Sequence, residues 1–173
     1  MSKSPYILAI DQGTSSTRAA LIDKKGIIVD QESIEFKQIY PSSGWVEHDP
    51  LEILLTVKST ISIIFERNNI IQNEIVSCGI TNQRETIVAW DKVTGIPLYN
   101  AIVWQDRRTH EICKNLVDKN YTNFVQEKTG LIIDPYFSAS KIQWLLENIK
   151  DQRNLIVGTI DTWIIWNLTN KAK

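Results

Sequence analysis

The sequence has few cysteines and no excess of either charge. Its two cysteines, Cys78 and Cys113, lie far apart. Neither a disulfide framework nor a zinc site is indicated, so we expect buried, reduced thiols. The 19 basic and 20 acidic residues give a formal net charge of −1. Because no basic stripe stands out, DNA and RNA are excluded as main partners.

Long apolar runs are also missing. The run at residues 6–10 is too short for the core of a signal peptide, and no later run reaches the roughly 20 residues that span a bilayer. We therefore expect a cytoplasmic protein with no membrane partner. With 43% apolar and 23% charged residues, the composition is that of an ordinary globular domain with one sizeable core.

Short apolar segments and polar turns alternate in the first part of the chain. Strands are predicted over residues 6–10, 19–22, 27–29 and 75–80. Asp49 followed by Pro50 predicts the start of a helix that runs to about Arg67. Its apolar face is predicted from helical spacing to hold Leu54, Leu55, Ile61 and Phe65. A strand, a long helix and another strand indicate a parallel crossover, and hence an α/β fold.

The second part continues in the same style. Further strands are predicted over residues 87–90 and 155–157, and helices near 108–118 and 138–149. The buried side of the latter helix is predicted to hold Ile142, Leu145, Leu146 and Ile149. Asp161 is predicted to cap a final helix. No repeat or linker forces an internal boundary, so one domain, cut short or not, is expected.

Residues 11–18 (DQGTSSTR) form the most distinctive polar segment. Neither the P-loop motif nor the Rossmann glycine motif occurs, so the chain belongs to neither class on motif grounds. Asp11, which follows an apolar strand, can hold Mg²⁺, and Gly13 lets backbone N–H groups approach a polyphosphate closely. The Ser and Thr hydroxyls can donate hydrogen bonds to the same polyphosphate, and the planar cation of Arg18 suits phosphate. The alternative is a hydrophilic hairpin whose Ser and Thr merely favour strand ends.

Residues 81–86 (TNQRET) form a polar run between two apolar strands, where ligands often bind. Arg84 can donate to substrate hydroxyls while Glu85 accepts from them, which suits a polyol. The alternative is an exposed ion pair or a turn. The roles of Trp104 and Tyr136 are ambiguous in the same way. Either they pack as structural residues, or they supply an apolar wall and a hydroxyl to a site.

His48 precedes the predicted helix start in the segment GWVEHDP. A histidine beside acidic residues can suggest a general base. Holding the chain where it enters the helix is a sufficient role, so we do not expect His48 to be catalytic.

Six segments occur in order: DQGTSSTR, GWVEHDP, GITNQRET, YNAIVWQDRRT, TGLIIDPYFSASK and GTIDTWIIW. Together they resemble the FGGY family of carbohydrate kinases, and within it the glycerol branch, from Tyr6 to about Asn170. The resemblance implies an incomplete α/β domain of the ribonuclease-H-like type found in actin and hexokinase, with a mixed sheet. Residues 1–173 would form a truncated amino-terminal kinase domain that lacks the carboxy-terminal nucleotide domain.

The resemblance also implies roles for individual residues. Asp11 would serve Mg²⁺. The nucleotide phosphates of ATP would be met by Thr14, Ser15, Ser16 and Arg18. The glycerol pocket would be lined by Arg84, Glu85, Trp104 and Tyr136. The family's general base, an aspartate, is expected beyond Lys173, so no catalytic base is expected in this chain.

Three functions follow as alternatives. In the first, the chain is the amino-terminal fragment of an ATP-dependent glycerol kinase, which forms glycerol 3-phosphate, and the fragment is inactive alone. In the second, the chain is a non-catalytic module that senses glycerol, forms a homo-oligomer or pairs with a separately encoded second half. In the third, it is an inert remnant of a kinase. An exposed apolar face would favour association.

Overall fold

The structure, a computed structural model, describes residues 5–169. The strands in this range are β1 (Tyr6–Gln12), β2 (Ser16–Ile22), β3 (Ile28–Glu35), β4 (Glu47–His48), β5 (Ile75–Thr81), β6 (Ile87–Asp91), β7 (Ala101–Ile102) and β8 (Leu155–Thr159). The helices are α1 (Pro50–Asn68), α2 (His110–Asp118), α3 (Thr122–Thr129), α4 (Ser138–Asn148) and α5 (Ile160–Leu168). None of these helices is long and apolar enough to cross a membrane.

The chain forms two compact units. Unit 1 contains residues up to 37, residues 50–83 and those from 160 onward. Unit 2 contains residues 38–49 and 84–159. The chain passes between the units four times without a linker rich in glycine or proline. This interleaving explains why composition and sequence pattern mark no internal boundary.

Unit 1 is built on a four-stranded sheet in the order β3-β2-β1-β5. Strand β1 pairs antiparallel with β2 and parallel with β5, so the sheet is mixed, as predicted. Helix α1 packs against β2 and β3. The buried apolar side chains of this sheet and helix include Leu8, Ile10, Ala19, Leu21, Ile53, Val57 and Ile64.

Helix α1 begins at Pro50 and ends at Asn68, close to the predicted bounds. Its buried face was predicted only in part: Leu54 is buried, but Leu55 is 63% exposed. The fully buried positions are Ile53, Val57, Thr60 and Ile64, a regular helical series that includes a threonine. Thr60 fits this face because its hydroxyl donates to backbone carbonyls one turn earlier, at 2.9 and 3.0 Å.

Strand β5 lies at one edge of the unit 1 sheet, and all its residues are exposed or half-buried. Cys78 lies on it and is exposed, so the prediction of a buried thiol is wrong there. Cys113, on α2 in unit 2, is buried as predicted. Helix α5 begins one residue before Asp161, which therefore lies in its first turn instead of capping it. The Asp161 carboxylate accepts a hydrogen bond from Asn82 Nδ2 at 2.9 Å.

Unit 2 is built on a second sheet, antiparallel throughout, in the order β4-β7-β6-β8. Helix α4 packs against β6. The apolar core joins Ile87, Ala89, Ile102, Leu145 and Ile149. On α4 the predicted Leu146 is 43% exposed, whereas Lys141 is fully buried. Helix α3 was not predicted, because it has no buried side chain and so no clear apolar face.

A buried arginine organises another part of unit 2. The side chain of Arg108 is fully buried and forms ion pairs with Glu47 at 2.7 Å and with Asp106 at 2.8 Å. Its guanidinium carbon lies 3.8 Å from the ring centroid of Trp45 and 4.7 Å from that of Trp144. Burial lowers the pKa of Arg108, but the hydrogen bonds and charges of the two carboxylates outweigh it and raise the pKa above its ordinary value.

Candidate functional site

The polar segment 11–18 is mostly strand. Strand β1 continues to Gln12 and β2 begins at Ser16, so only three residues form the turn. The Gly13 N–H donates to the Ser16 carbonyl at 3.0 Å and is thus taken up by the turn itself. A Cβ at Gly13 would lie 3.2 Å from the same carbonyl oxygen, closer than most side chains tolerate. The close approach of the two strands therefore explains this glycine.

Buried polar side chains fix this turn to α1. Thr17 is fully buried, and its hydroxyl lies 2.7 Å from both Gln12 Oε1 and the Thr56 hydroxyl. Thr56 is in turn 2.8 Å from the Ile53 carbonyl, to which it can donate. Since each partner is buried and hydrogen-bonded, the network holds the turn in one conformation. None of these contacts was predicted.

Asp11 and Arg18 face each other across β1 and β2. Both are exposed, and partners in register project from the same face of a sheet. Within residues 5–169 neither side chain forms an ion pair. The predicted hydroxyls lie nearby along the chain: Ser15 is exposed, and Thr14 and Ser16 are half-buried. Unit 1 therefore presents a carboxylate, a guanidinium and the turn together.

The residues present fit a magnesium ion only as part of a nucleotide complex. No group of three His, Cys, Asp or Glu side chains in the described part of the chain can hold a metal ion. Mg²⁺ commonly binds through one or two carboxylates plus phosphate oxygens and water. Asp11, exposed at the end of β1, can supply one such carboxylate.

Glu85 is the most unusual of the predicted polyol residues. Its backbone has φ +66°, in the left-handed region that side chains other than glycine rarely adopt. Its Oε2 accepts hydrogen bonds from Ser138 N at 2.8 Å and from Ser138 Oγ at 2.5 Å. The N-cap residue of α4, Phe137, contributes no side-chain hydrogen bond, so Glu85 caps this helix from another segment.

Trp104 and Tyr136 lie against each other, edge to face, with ring centroids 5.9 Å apart. The backbone N–H of Trp104 donates to the Thr86 hydroxyl at 3.2 Å, which ties this segment to the residue after Glu85. Tyr136 is two residues before Ser138, the partner of Glu85. The structure therefore brings Glu85, Trp104 and Tyr136 together in unit 2. Arg84 directly precedes Glu85 in the chain but is exposed, and its side chain forms no hydrogen bond among residues 5–169.

Lys141 was missed by the sequence analysis. It is fully buried in the first turn of α4. Its ammonium donates to the carbonyls of Pro135 at 2.7 Å, Tyr136 at 2.5 Å and Phe137 at 3.1 Å. Burial lowers the pKa of Lys141 to about 8, although nearby acidic groups oppose that shift. Its only sequence signal is its place one helical turn before Leu145.

His48 lies in β4 of unit 2 and is fully buried. Its Nε2 is 2.7 Å from Gln38 Oε1. Burial lowers the pKa of His48 to about 4, so the ring is neutral near pH 7. The side chain packs inside the unit, which fits the structural role that was predicted for it.

Comparison with known proteins places these features in a family. Residues 6–173 match the model of the N-terminal domain of the FGGY family of carbohydrate kinases. The chain is 53% identical over 170 residues to glycerol kinase 1 of Clostridium tetani, covering 95% of this chain and 34% of that protein. It is also 53% identical to a glycerol kinase of Mycoplasmopsis pulmonis, with the same coverage.

A solved structure agrees. The Plasmodium falciparum glycerol kinase with ADP superimposes with a TM-score of 0.89 at 39% identity, covering 96% of this chain and 35% of that one. The likeness confirms the predicted fold class, an incomplete α/β domain of the ribonuclease-H-like, actin and hexokinase type. The chain spans about a third of the length of the curated relatives it matches. It belongs to the FGGY family of carbohydrate kinases, whose N-terminal domain it matches from residue 6 onward.

Proposed function

We propose that this chain is the glycerol- and phosphate-binding part of a glycerol kinase, which transfers the terminal phosphoryl group of ATP to a terminal hydroxyl of glycerol. The relatives that are about half identical to it are glycerol kinases. In this proposal unit 2 binds glycerol through Arg84, Glu85, Trp104 and Tyr136. Unit 1 binds nucleotide phosphate and its Mg²⁺ through Asp11, Thr14, Ser15, Ser16 and Arg18.

The carboxylate of Glu85 is the observation that carries the proposal. Ser138 engages Oε2 with two donors, and no hydrogen bond of Oε1 is found among the described residues. A fixed carboxylate with one oxygen to spare can accept hydrogen bonds from neighbouring hydroxyls of a polyol. The left-handed backbone at Glu85 is costly, by roughly 1–3 kcal/mol, and such strain persists where the surroundings enforce it, often at binding sites.

The rings of Trp104 and Tyr136 suit the other half of a polyol. Glycerol presents carbon–hydrogen surface between its hydroxyls, and an aromatic face can cover that surface. Arg84, exposed beside Glu85, can donate to hydroxyl oxygens from the same segment. The combination of one acceptor, one donor and an apolar wall favours a small polyol over an anionic substrate.

The unit 1 residues suit the phosphoryl donor. Phosphoryl transfer depends mainly on positioning and on neutralising charge on the transferred group. Arg18 can neutralise phosphate oxygens, and Asp11 can hold a metal ion that arrives with the nucleotide. When bound, Mg²⁺ would supply charge neutralisation at the phosphates.

The general base has no proposed position within residues 1–173. We therefore propose that the chain alone does not turn over, because loss of a positioned base costs about 10²–10⁴ in rate. The second candidate, a non-catalytic glycerol-binding module, is favoured by the fact that Glu85 and Ser138, and the rings of Trp104 and Tyr136, contact each other within unit 2 alone. Such a module would pair with a separately encoded second half or with its own copies. An inert remnant is the third possibility.

Glycerol calorimetry with Glu85→Ala tests the site directly. The substitution removes the acceptor, so glycerol affinity should fall about tenfold or more. Glu127→Ala, at an exposed position of α3, is the matched control and should leave affinity unchanged. In a complete kinase carrying this chain, the same Glu85 variant should raise the glycerol concentration needed for half-maximal rate. Equal affinity in wild type and Glu85→Ala would refute the assignment.

A coupled ATP and glycerol assay on the purified chain, together with glycerol calorimetry, separates the inert remnant from the other two candidates. No turnover with glycerol binding supports the module or the kinase part, whereas no binding of glycerol supports the remnant. Robust turnover would contradict the proposal that the base lies outside these residues.

A further inference from the structure

The loop before α4 carries Tyr136, and the first residue of α4 carries the donors that hold Glu85. Three successive carbonyls of this loop, those of residues 135–137, turn toward a single point. Lys141 Nζ occupies that point. An ammonium group has three N–H donors, and here each can meet one carbonyl. The loop is therefore closed on the helix by one side chain.

A lysine in this position is costly. It is fully buried, and among residues 5–169 it forms no ion pair with a carboxylate. It also lies in the first turn of a helix, where the macrodipole disfavours a cation. An apolar residue at this helical position would fit the core of unit 2 without either penalty. The three carbonyl contacts are what the lysine provides that an apolar residue cannot.

We propose that Lys141 is a positioning residue of the polyol site: by tying the carbonyls of residues 135–137 it holds Tyr136 against Trp104 and keeps Ser138 on the Glu85 carboxylate. The inference rests on the proposed function, because it gives Lys141 a role in a site that binds glycerol. Lys141 itself does not touch the substrate in this account.

Protonation of Lys141 offers a readout that a purely structural residue would not give. The acidic and thiol groups that interact with it are Glu85, Asp106, Asp134 and Cys113. Burial brings the pKa of Lys141 to about 8. When it loses a proton, two N–H donors remain for three carbonyls, so one carbonyl loses its partner. The loop should then loosen, and glycerol affinity should fall as the pH rises through about 8.

The linked change in global stability has the opposite sign. The pKa of Lys141 is lower in the folded chain than in the unfolded chain, so the unfolded chain binds more protons between about pH 8 and pH 10.5. This group therefore makes folding more favourable as the pH rises through that window. A fall in glycerol affinity over the same window cannot be blamed on unfolding by this group.

The experiment compares wild type, Lys141→Met and the exposed control Lys150→Met. Calorimetry gives glycerol affinity from pH 6.5 to 9.5, and NMR gives hydrogen exchange of the Ser138 amide without glycerol. Lys141→Met should bind glycerol about tenfold more weakly, with a flat pH profile, and its Ser138 amide should exchange about tenfold faster. Wild type and Lys150→Met should both lose affinity above about pH 8. Cys113→Ser should keep that loss, since the thiol is not its cause.

Each result decides the matter. If Lys141→Met matches wild type in glycerol affinity and in Ser138 exchange, the inference is overturned. If Lys141→Met does not fold, the wild-type profile decides. Constant glycerol affinity and a constant Ser138 protection factor, which is corrected for the pH dependence of intrinsic amide exchange, would also overturn the inference. If wild type binds no glycerol, the proposed function fails. A fall in the Ser138 protection factor as the pH rises through about 8 then still tests whether Lys141 holds the loop.

Discussion

Replacing Arg108 with Met should destabilise unit 2 far more than its single charge suggests. The side chain of Arg108 is fully buried, and its partners Glu47 and Asp106 are 2% and 1% exposed. The variant keeps most of the aliphatic volume but removes the guanidinium. Two buried carboxylates then lose their counter-charge together, and water cannot reach them.

The contacts that remain set the size of the effect. Asp106 still accepts from the Val46 N–H at 2.6 Å, and Glu47 still accepts from Asn100 Nδ2 at 2.9 Å. These neutral donors do not replace a cation. Removing one partner of a buried ion pair costs roughly 3–5 kcal/mol. We expect about 4 kcal/mol, which is close to a thousandfold change in the unfolding equilibrium. A typical domain has only about 5–15 kcal/mol in total.

Urea unfolding followed by circular dichroism measures this loss, and hydrogen exchange of the Val46 amide reports on the cluster itself. The matched control is Arg153→Met, which removes an arginine of the same unit whose ion pair with Asp151 is exposed on both sides. Water screens that pair, so the control should unfold almost like wild type. The Val46 amide should exchange faster in the Arg108 variant alone.

The pH dependence gives a second check. Without the arginine, protons can neutralise the buried carboxylates, so the deficit of Arg108→Met should be larger at neutral pH than in mild acid. If Arg108→Met costs no more than Arg153→Met, or if its deficit grows as the pH falls, then a buried ion cluster does not stabilise this unit as argued.

Two further predictions concern the turn in unit 1. Thr17→Val keeps the side-chain shape but removes the hydroxyl shared with Gln12 and Thr56, so the free energy of unfolding should fall by roughly 1–3 kcal/mol; urea unfolding checks this, and an unchanged midpoint would contradict it. Gly13→Ala places a methyl group 3.2 Å from the Ser16 carbonyl, so the turn must shift and nucleotide affinity should fall. Fluorescent nucleotide titration measures it, and affinity equal to wild type would show that the turn does not bind phosphate.

The fold was largely predictable because several of its helices and strands have clear local sequence patterns. Strand β1 begins with a continuous apolar run over residues 6–10, and the proline at residue 50 is the first residue of α1. Elements with weak local signals were lost. Helix α3 buries no side chain, and β4 has only two residues, so neither leaves a pattern of useful length. Leu55 was assigned to the wrong face because several neighbouring apolar residues fit more than one helical stripe.

The sequence suggested the residues of the candidate site, but it did not reveal the contacts that hold their side chains in place. Glu85 stood out because a polar run interrupts two apolar strands, and such a run is visible in sequence. Its partner Ser138 lies 53 positions away, and its left-handed backbone follows from the fold. Thr17 and Thr56, 39 positions apart, are equally remote in sequence. Contacts of this range need the tertiary structure, since no local spacing encodes them.

Unit 2 holds two cationic side chains that are fully buried, Arg108 and Lys141, and they are bound in different ways. Arg108 is neutralised by two carboxylates, so its charge is compensated and stabilises the packing around it. Among residues 5–169, the hydrogen-bond partners of the Lys141 ammonium are backbone carbonyls. Burial lowers its pKa to about 8, so its charge is less well compensated than that of Arg108. A fold selected for stability alone would gain by replacing Lys141 with an apolar residue, whereas replacing Arg108 would leave two carboxylates stranded. Lys141, the cation whose burial is unfavourable, is also the one that orders the segment with Tyr136 and Ser138. For this reason we assign the positioning role in the polyol site to Lys141 and not to Arg108.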